Sequence, residues 1–358
     1  MNSSSRPSPI AGLGAALQTA SPVLPDSEIE DLVRTHFGLE GTAEWLWGEK
    51  DSNHRLTLGD KRTVLVKVLN PGEPPSTTDM HSRALLHVAR ADPGIPVQRI
   101  VPASNGAPDI RIPGPEGNTR AVRVVTFLPG QALSGATHSV AQRYNIGLMM
   151  ARMQQALASF EHASASHKLT WDMTYSLDLR GVCNCLGEGE ERAALTQCLD
   201  LFQDEVLPRL TQLPSQVIHN DFNSENILVD PADTDRVSGI IDFGDMVRAP
   251  RVFDVAVGAS YILDDESEPV ESVFDFLKGY ASLARLTRPE IEVLYPCLLA
   301  RLVMRLAIPS WRATLFPNQA ERLLRKHDLV RRTLARVRAY RQQAFTEQSA
   351  AVFQRVSQ

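Results

Sequence analysis

Two short polar clusters, each enclosed by apolar residues, constrain the fold of this chain more than any other feature of its sequence. The first cluster reads HNDFNSEN at residues 219–226 and lies between the apolar runs 217–218 and 227–229. The second reads DFGD at residues 242–245 and follows Gly239-Ile240-Ile241. Short runs of Ile, Val and Leu are typical of buried strands. The pattern therefore predicts two polar loops held at the edge of a folded core.

The residue types in these loops suit the transfer of a phosphoryl group to a hydroxyl. Asp221 offers a carboxylate that can take the proton of the attacking hydroxyl, whereas Asn226 and Asp242 offer the oxygen ligands that Mg²⁺ prefers. The order H-x-D-x-x-x-x-N and then D-F-G is that of the catalytic and metal-binding loops of kinase-type phosphotransferases. We expect His219 to brace the first loop rather than to touch substrate. An ordinary polar turn would explain the first motif alone, but not both motifs together.

These motifs resemble the aminoglycoside phosphotransferase family more than the protein kinases. Within that family, HNDFNSENILVD and VSGIIDFGDM, with VFDVAV shortly after, are similar to hydroxylysine kinases and to the kinase domains that precede some pyridoxal-phosphate-dependent (class-III) aminotransferases. The resemblance implies that Asp254 holds the catalytic loop through backbone hydrogen bonds. The family usually has Gly at position 220, and Asn220 tolerates a left-handed backbone less freely than Gly does.

The resemblance covers about residues 28–340 and implies an α+β, protein-kinase-like fold with two lobes. We expect residues 1–25 to be a disordered tail, residues 26–129 to form a small nucleotide-binding lobe around an antiparallel sheet, and residues 130–358 to form a larger, mainly helical lobe. In the first helix, Ser27 can cap the start and Gly41 would close the end. Leu128-Pro129-Gly130 would be the hinge between the lobes.

The small lobe supplies the residues that the resemblance implies for nucleotide binding. Lys67 lies inside a β-branched strand, where an ammonium needs a partner, and would hold the α- and β-phosphates. The hairpin tip at residues 48–53 would cradle phosphates, and the strand that ends at the hinge would meet the purine edge. The residues implied are Lys67, Asp51, Ser52, Asn53, Thr126, Phe127 and Leu128. The helix over residues 78–90 contains no Glu to orient the lysine, which leaves Asp79, Glu73 or no residue in that role.

Composition excludes several classes of protein. A net charge of −5 gives no case for nucleic acid, which favours a basic face. Four cysteines, of which only Cys183 and Cys185 are close, complete no zinc site and are typical of reduced cytoplasmic thiols. No apolar run is long enough to span a membrane. We therefore expect a cytoplasmic protein, and oligomeric state is left open.

The function that follows is a Mg²⁺-dependent small-molecule kinase, with ATP or GTP as donor and an amine-bearing hydroxyl compound as acceptor. Hydroxylysine is the first candidate by resemblance, and homoserine-like, choline-like and aminoglycoside acceptors are alternatives. Asp245 is expected to bind the acceptor amine, helped by the acid-rich segment 264–271, and Arg301 or Arg305 to bind an acceptor carboxylate. A nucleotide-binding pseudokinase or regulatory module is the alternative class, because the helix Glu is missing.

Overall fold

The computed structural model describes residues 24–48, 50–114, 117–183, 189–263 and 270–355, together with residues 19 and 186. The predicted tail, residues 1–25, lies almost entirely outside the described residues, and so does residue 49 of the hairpin tip. Residues 264–269 of the acid-rich segment are also outside them. No helix in the described ranges is long and apolar enough to cross a membrane.

The small lobe is built on one antiparallel sheet with two helices. Its strands are β1 Gly41–Leu46, β2 Ser52–Leu58, β3 Thr63–Val68, β4 Ile100–Val101, β5 Ile110–Pro113 and β6 Thr119–Thr126. Its helices are α1 Asp26–Phe37 and α2 Pro75–Ala91. The strand order is β1-β2-β3-β6-β4, and β5 also pairs with β6. Alternate residues of β2 are buried, as expected for a strand with one face on a core.

The ends of α1 differ from the prediction. The helix begins after Pro25 with no side-chain cap, so Ser27 does not cap it. It ends at Gly38, whose φ of 64° is the left-handed conformation that favours Gly at a helix end. Gly41 instead lies in β1, where a Cβ atom would be 2.4 Å from the carbonyl oxygen of Thr57. Gly41 therefore permits close strand pairing rather than a helix end.

The larger lobe is mainly helical. Its helices are α3 Val140–Leu157, α4 Arg180–Cys183, α5 Glu190–Glu205, α6 Arg251–Ile262, α7 Glu271–Ala281, α8 Arg288–Leu315, α9 Ala320–Leu324, α10 His327–Ala339 and α11 Gln342–Arg355. Its short strands are β7 Gln131–Ala132, β8 Ser215–Ile218, β9 Ile227–Asp230, β10 Asp233–Ile240 and β11 Val247–Pro250. Short 3-10 turns cover Leu133–Gly135, Met173–Leu179, Leu207–Gln212 and Pro317–Gln319.

Two glycines allow α3 and α7 to pack at close range. A Cβ atom on Gly147 would be 1.9 Å from the carbonyl oxygen of Phe276, and one on Gly279 would be 1.8 Å from that of Tyr144. Such distances are far below van der Waals contact, so larger residues would force the two helices apart. The buried side chains of Met150 and Met153 on α3 belong to the large hydrophobic core.

The two polar loops lie where short strands end, between the lobes. The pair β8–β11 carries the start of one loop and the end of the other, and β9–β10 does the reverse. Val97, just after α2, forms a parallel bridge with Ile240, whose N–H donates to the Pro96 carbonyl at 2.8 Å. The small lobe is thus tied to β10, which ends at Ile240, two residues before Asp242. The architecture is the expected one, a sheet-based lobe and a larger helical lobe with both loops between them.

Candidate active site

The first polar loop, residues 219–226, is held in place by one buried carboxylate. Asp254 at the start of α6 accepts the N–H of Asn220 at 2.8 Å and that of His219 at 3.3 Å, which confirms the expected contact. Asn220 has a φ of 63°, the left-handed region that favours Gly. Its side chain is buried, and its amide oxygen and nitrogen have no hydrogen-bond partner among the described residues. The loop therefore carries local strain that Asp254 offsets.

The His219 side chain is fully buried, and both of its ring nitrogens bond to backbone groups. Its Nδ1 accepts the N–H of Asp221 at 3.3 Å, so its Nε2 carries the hydrogen and donates to the Ile241 carbonyl at 3.2 Å. Burial lowers the pKa of His219 despite the nearby Asp254 carboxylate, so the ring is neutral. These contacts join the two polar loops, as the bracing role requires, and His219 does not line the cleft.

Asp221 lies at the base of the cleft between the lobes, and several hydrogen-bond donors surround its carboxylate. Its Oδ2 accepts from Asn226 at 2.6 Å and its Oδ1 from Asn223 at 2.7 Å. The guanidinium of Arg301 lies 3.6 Å from Oδ1. Burial and the nearby Asp245 carboxylate raise the pKa of Asp221 to about 7, although Arg301 opposes the rise. A carboxylate that titrates near neutral pH is suited to proton transfer.

Asn226 and Asp242 form a pair that fits a magnesium ion. Asn226 uses its Nδ2 on Asp221, and its Oδ1 accepts no hydrogen bond from any residue that the structure describes. The Asp242 side chain is 40% exposed toward the cleft. Burial opposes its ionisation, but the Lys67 and Lys50 ammonium groups hold the pKa of Asp242 well below its usual range. No cluster of three or more His, Cys, Asp or Glu in the described ranges could hold a metal, and Mg²⁺ in phosphoryl-transfer sites needs only one or two protein carboxylates.

Lys67 is held by two acids, and neither of them is on α2. Its Nζ is 3.2 Å from Asp242 Oδ1 and 3.5 Å from Asp51 Oδ2. The suggestion that Asp79 orients Lys67 is wrong, because the Asp79 carboxylate pairs with Arg83 at 2.7 Å and with His162 at 3.1 Å. The face of α2 that points inward accepts hydrogen bonds from Arg123 instead: the Ser82 hydroxyl at 2.9 Å and the Thr78 carbonyl at 2.7 Å.

Of the hairpin-tip residues predicted to bind phosphates, two line the cleft and one does not. Asp51 and Asn53 line the cleft. Ser52 does not, because its hydroxyl is buried against His54 Nε2 at 3.0 Å. Asp51 also accepts the N–H of Asn70 at 3.0 Å, which fixes the carboxylate that faces Lys67.

The three residues predicted to meet the purine, Thr126, Phe127 and Leu128, differ in how far their backbone groups are already hydrogen-bonded. The Thr126 N–H donates to the Arg99 carbonyl at 2.9 Å, and the Phe127 N–H donates to the Thr63 carbonyl at 3.3 Å. The N–H and C=O of Leu128 have no hydrogen-bond partner within the described ranges. Phe127 and Leu128 both line the cleft. Of these three predicted nucleotide-binding residues, Leu128 is the one whose N–H and C=O both remain available for a purine edge.

A cleft of about 560 Å³ runs from the hinge to α8 and α10 and contains Asp221. Asp245, the predicted amine ligand, lines it but already has a partner: Lys50 Nζ lies 2.5 Å from Asp245 Oδ1 and donates to the Gly244 carbonyl at 3.2 Å. Sequence reasoning missed Lys50. Its position in the hairpin tip was the available signal, since that tip faces the catalytic loops in kinase folds.

The two predicted arginines of α8 have different surroundings. Arg301 is 1% exposed, stacks over Trp171 at 4.6 Å and does not line the cleft. Its acid partner is Asp221, so it acts within the protein. Arg305 stacks over Tyr261 at 3.8 Å, donates to the Ser260 carbonyl at 2.5 Å and lines the cleft. Of the two, Arg305 is the one that an acceptor can reach.

The segment from α9 to α10 closes one side of the cleft, which sequence reasoning did not foresee. Arg322 stacks over Trp47 of the small lobe at 3.6 Å. Lys326 and Arg325 pair with Glu225 of the catalytic loop at 2.8 and 3.2 Å. These contacts connect residues 322–326 to the small lobe through Trp47 and to the catalytic loop through Glu225.

A two-lobed fold with a buried lysine, an aspartate of near-neutral pKa and an Asn and an Asp in the same cleft is that of a kinase-fold phosphotransferase with an alcohol group as acceptor. The model of the phosphotransferase enzyme family matches residues 46–286. The chain belongs to this family, and the expected resemblance is confirmed.

Relatives of known activity and solved structures agree with this assignment. The chain is 26% identical over 329 residues to the hydroxylysine kinase of Mus musculus, covering 86% of this chain and 87% of that protein. It is 23% identical over 321 residues to that of Danio rerio, covering 85% and 89%. A microcompartment-associated aminopropanol kinase has the same fold, with a TM-score of 0.70, 17% identity and coverage of 88% and 97%. The amicoumacin kinase hAmiN, solved with AMP-PNP, Ca²⁺ and Ami, gives a TM-score of 0.64 at 15% identity, covering 87% and 94%.

Proposed function

We propose that this protein transfers the terminal phosphoryl group of ATP or GTP, with Mg²⁺, to the hydroxyl of an amino alcohol or hydroxy amino acid, with hydroxylysine as the first candidate. The observation that carries this proposal is the charge arrangement in the acceptor half of the cleft. Asp221 lines one cavity together with an acid, Asp245, and a cation, Arg305. A zwitterionic acceptor needs both signs of charge beside the reacting hydroxyl.

The donor half supports a purine nucleotide with its phosphates toward Asp242. Leu128 would meet the purine edge, and Lys67 would bind the α- and β-phosphates. Asn226 and Asp242 would hold Mg²⁺, which neutralises charge on the transferring phosphoryl group when bound. Lys67 needs no helix Glu for this role, because Asp51 holds its ammonium at 3.5 Å.

Asp221 would act as the base for the acceptor hydroxyl. The oxygen of the acceptor bonds to the terminal phosphorus, the bond from that phosphorus to the nucleoside diphosphate oxygen breaks, and the hydroxyl proton passes to Asp221. Asn223 and Asn226 hold both carboxylate oxygens in place at 2.7 and 2.6 Å. Because phosphoryl transfer has a loose transition state, this positioning contributes at least as much as proton removal.

The acceptor carboxylate would bind Arg305 and the amine would bind Asp245. Arg305 presents a planar guanidinium fixed by Tyr261, and a fixed fork of donors matches a carboxylate. The Asp245 side chain is 11% exposed, so a charge pair there is less screened than one at the surface. The acids at residues 264–266 lie outside the described residues, and the amine contact is proposed on Asp245 alone.

The test is a paired acceptor series in a coupled assay of nucleotide consumption. Hydroxylysine, its N-acetylated form and its carboxamide are compared for kcat/KM with ATP and with GTP. Acetylation and amidation should each lower kcat/KM by about tenfold or more, since each removes one charge pair. Homoserine, choline, ethanolamine and an aminoglycoside complete the panel.

Arg305→Met is the matched variant for the carboxylate contact. It should reduce kcat/KM for the free acid to the level of the carboxamide and leave the carboxamide unaffected. Equal rates for free and acetylated amines would refute the amine contact, and tolerance of the amide would refute the role of Arg305.

We also propose that the protein acts in the cytoplasm. Cys183, Cys198 and Cys297 are free and buried, which fits a reducing compartment. Cell fractionation with an antibody to the protein tests this, and recovery outside the cytoplasmic fraction would contradict it.

A further inference from the structure

The Lys50–Asp245 ion pair joins the two lobes inside the cleft. Lys50 comes from the hairpin tip between β1 and β2, and Asp245 ends the second polar loop. Their side chains are 15% and 11% exposed, and the two charged atoms are 2.5 Å apart. Lys50 also donates to the Gly244 carbonyl at 3.2 Å. The pair therefore places a cation of the small lobe on the acid that is suited to an acceptor amine.

The surroundings of Lys50 keep its charge while giving it a second possible partner. Burial alone would lower the pKa of Lys50, but Asp245, Glu73, Asp51 and Asp242 hold it above its ordinary value. Asp242, one of the two metal-binding residues proposed above, is therefore near this ammonium, and Lys67 Nζ lies 3.2 Å from the same carboxylate. A nucleotide whose terminal phosphates reach Asp242 would bring several negative charges beside Lys50.

We propose that Lys50 exchanges partners during the binding cycle: it leaves Asp245 for the terminal phosphate of the nucleotide, and Asp245 then binds the ammonium of the acceptor. The first half concerns nucleotide binding alone, and only the second half rests on the proposed function. Lys50 is thus a second phosphate-binding lysine beside Lys67, and it also excludes amines from Asp245 until nucleotide is present.

The exchange implies that nucleotide and acceptor strengthen each other's binding. Before nucleotide binds, an acceptor amine must displace an ammonium that is 2.5 Å from Asp245. After nucleotide binds, Asp245 is left with an unpaired buried charge, which favours a new cation. Coupling between two sites is reciprocal and commonly changes affinity by about 5- to 150-fold.

The nucleotide half is tested by calorimetric titration with an imido-linked triphosphate analogue and with the diphosphate, both with Mg²⁺. Lys50→Met should weaken the triphosphate analogue by about tenfold and change the diphosphate little. Asp245→Asn should tighten the triphosphate analogue, because Lys50 no longer has to leave a carboxylate. In the Lys50→Met background, Asp245→Asn should change nothing.

Three results would overturn the exchange. If Asp245→Asn weakens the triphosphate analogue, Asp245 serves the metal or the nucleotide. If Asp245→Asn tightens binding of the analogue equally in the wild-type and Lys50→Met proteins, the effect comes from the loss of a negative charge near the nucleotide and not from Lys50. If Lys50→Met weakens triphosphate and diphosphate equally, Lys50 does not contact the terminal phosphate. The double variant removes both charges together and so avoids an unpaired carboxylate that could disturb folding. Lys278→Met controls for net charge, because the Lys278 ammonium pairs with Asp275 and does not line the cleft.

The acceptor half uses hydroxylysine as the probe, titrated with and without the saturating analogue. The wild-type protein should bind it more tightly with the analogue. Lys50→Met without nucleotide should bind it about as tightly as the nucleotide-bound wild type does. Equal affinity in both wild-type states would refute the gate. If hydroxylysine binds in neither state, the proposed acceptor fails, while the nucleotide titrations still decide the role of Lys50.

Discussion

Asp221→Asn should make the protein more stable and less active at the same time. The native fold raises the pKa of this carboxyl from about 3.8 to about 7. A raised native pKa means that the folded state binds a proton more tightly than the unfolded state does. The stability that comes from this proton is fully present below pH 3.8 and is lost as pH rises toward 7. At neutral and higher pH, the ionised carboxylate therefore destabilises the fold.

Proton linkage gives the size of the effect. Relative to a neutral side chain, Asp221 should destabilise the native state by about 4 kcal/mol at pH 8 and by about 2 kcal/mol at pH 5. Asparagine offers one acceptor oxygen where Asp221 accepts from both Asn223 and Asn226, and the lost hydrogen bond costs about 1 kcal/mol. Asp221→Asn should then raise the free energy of unfolding by about 3 kcal/mol at pH 8 and by about 1 kcal/mol at pH 5.

Urea denaturation at the two pH values measures this directly. The difference between them, about 2 kcal/mol, is the decisive quantity because the hydrogen-bond correction cancels. Asp204→Asn, at an exposed position of α5, is the matched control and should change stability by about 0.5 kcal/mol or less. In parallel, kcat should fall by about 10²- to 10⁴-fold with nucleotide affinity unchanged. An equal gain at both pH values, or a loss at pH 8, would refute the reasoning.

Three further predictions concern the donor side and the loop backbone. Lys67→Ala should raise the nucleotide KM and lower kcat in a steady-state assay. Asp51→Ala should reproduce part of that loss, whereas Asp79→Ala should not. A loss with Asp79→Ala and none with Asp51→Ala would contradict the observed ion pairs. Asp242→Ala should nearly abolish turnover and flatten the Mg²⁺ dependence of nucleotide binding, and near-normal kinetics across a Mg²⁺ titration would rule out its metal role. Asn220→Gly should raise the free energy of unfolding by about 1 kcal/mol, because Gly fits the left-handed backbone and the substitution removes two unpaired buried polar atoms. Thermal denaturation measures this, with Asn220→Ala, which keeps the backbone strain, as the comparison variant.

The sequence by itself determined the parts of this protein that depend on neighbours in the chain. Apolar runs on each side of residues 219–226 and 242–245 were enough to predict both loops, because strand formation and side-chain alternation are local properties. The loop motif likewise placed Asp221 and Asn226, five positions apart, in one loop, where the structure shows them in contact. The family resemblance, with Gly usual at position 220, pointed to the left-handed backbone that Asn220 adopts.

Only the tertiary structure decided which charges pair with each other. Lys50 and Asp245 are 195 positions apart, and Lys67 and Asp242 are 175 apart. A sequence shows that a buried lysine needs an acid, but several acids satisfy that need equally until the lobes pack. The same holds for Arg301, which serves Asp221 because α8 passes beneath the catalytic loop. Partner choice among distant charges is set by the packing of one lobe on the other, and no local pattern encodes it.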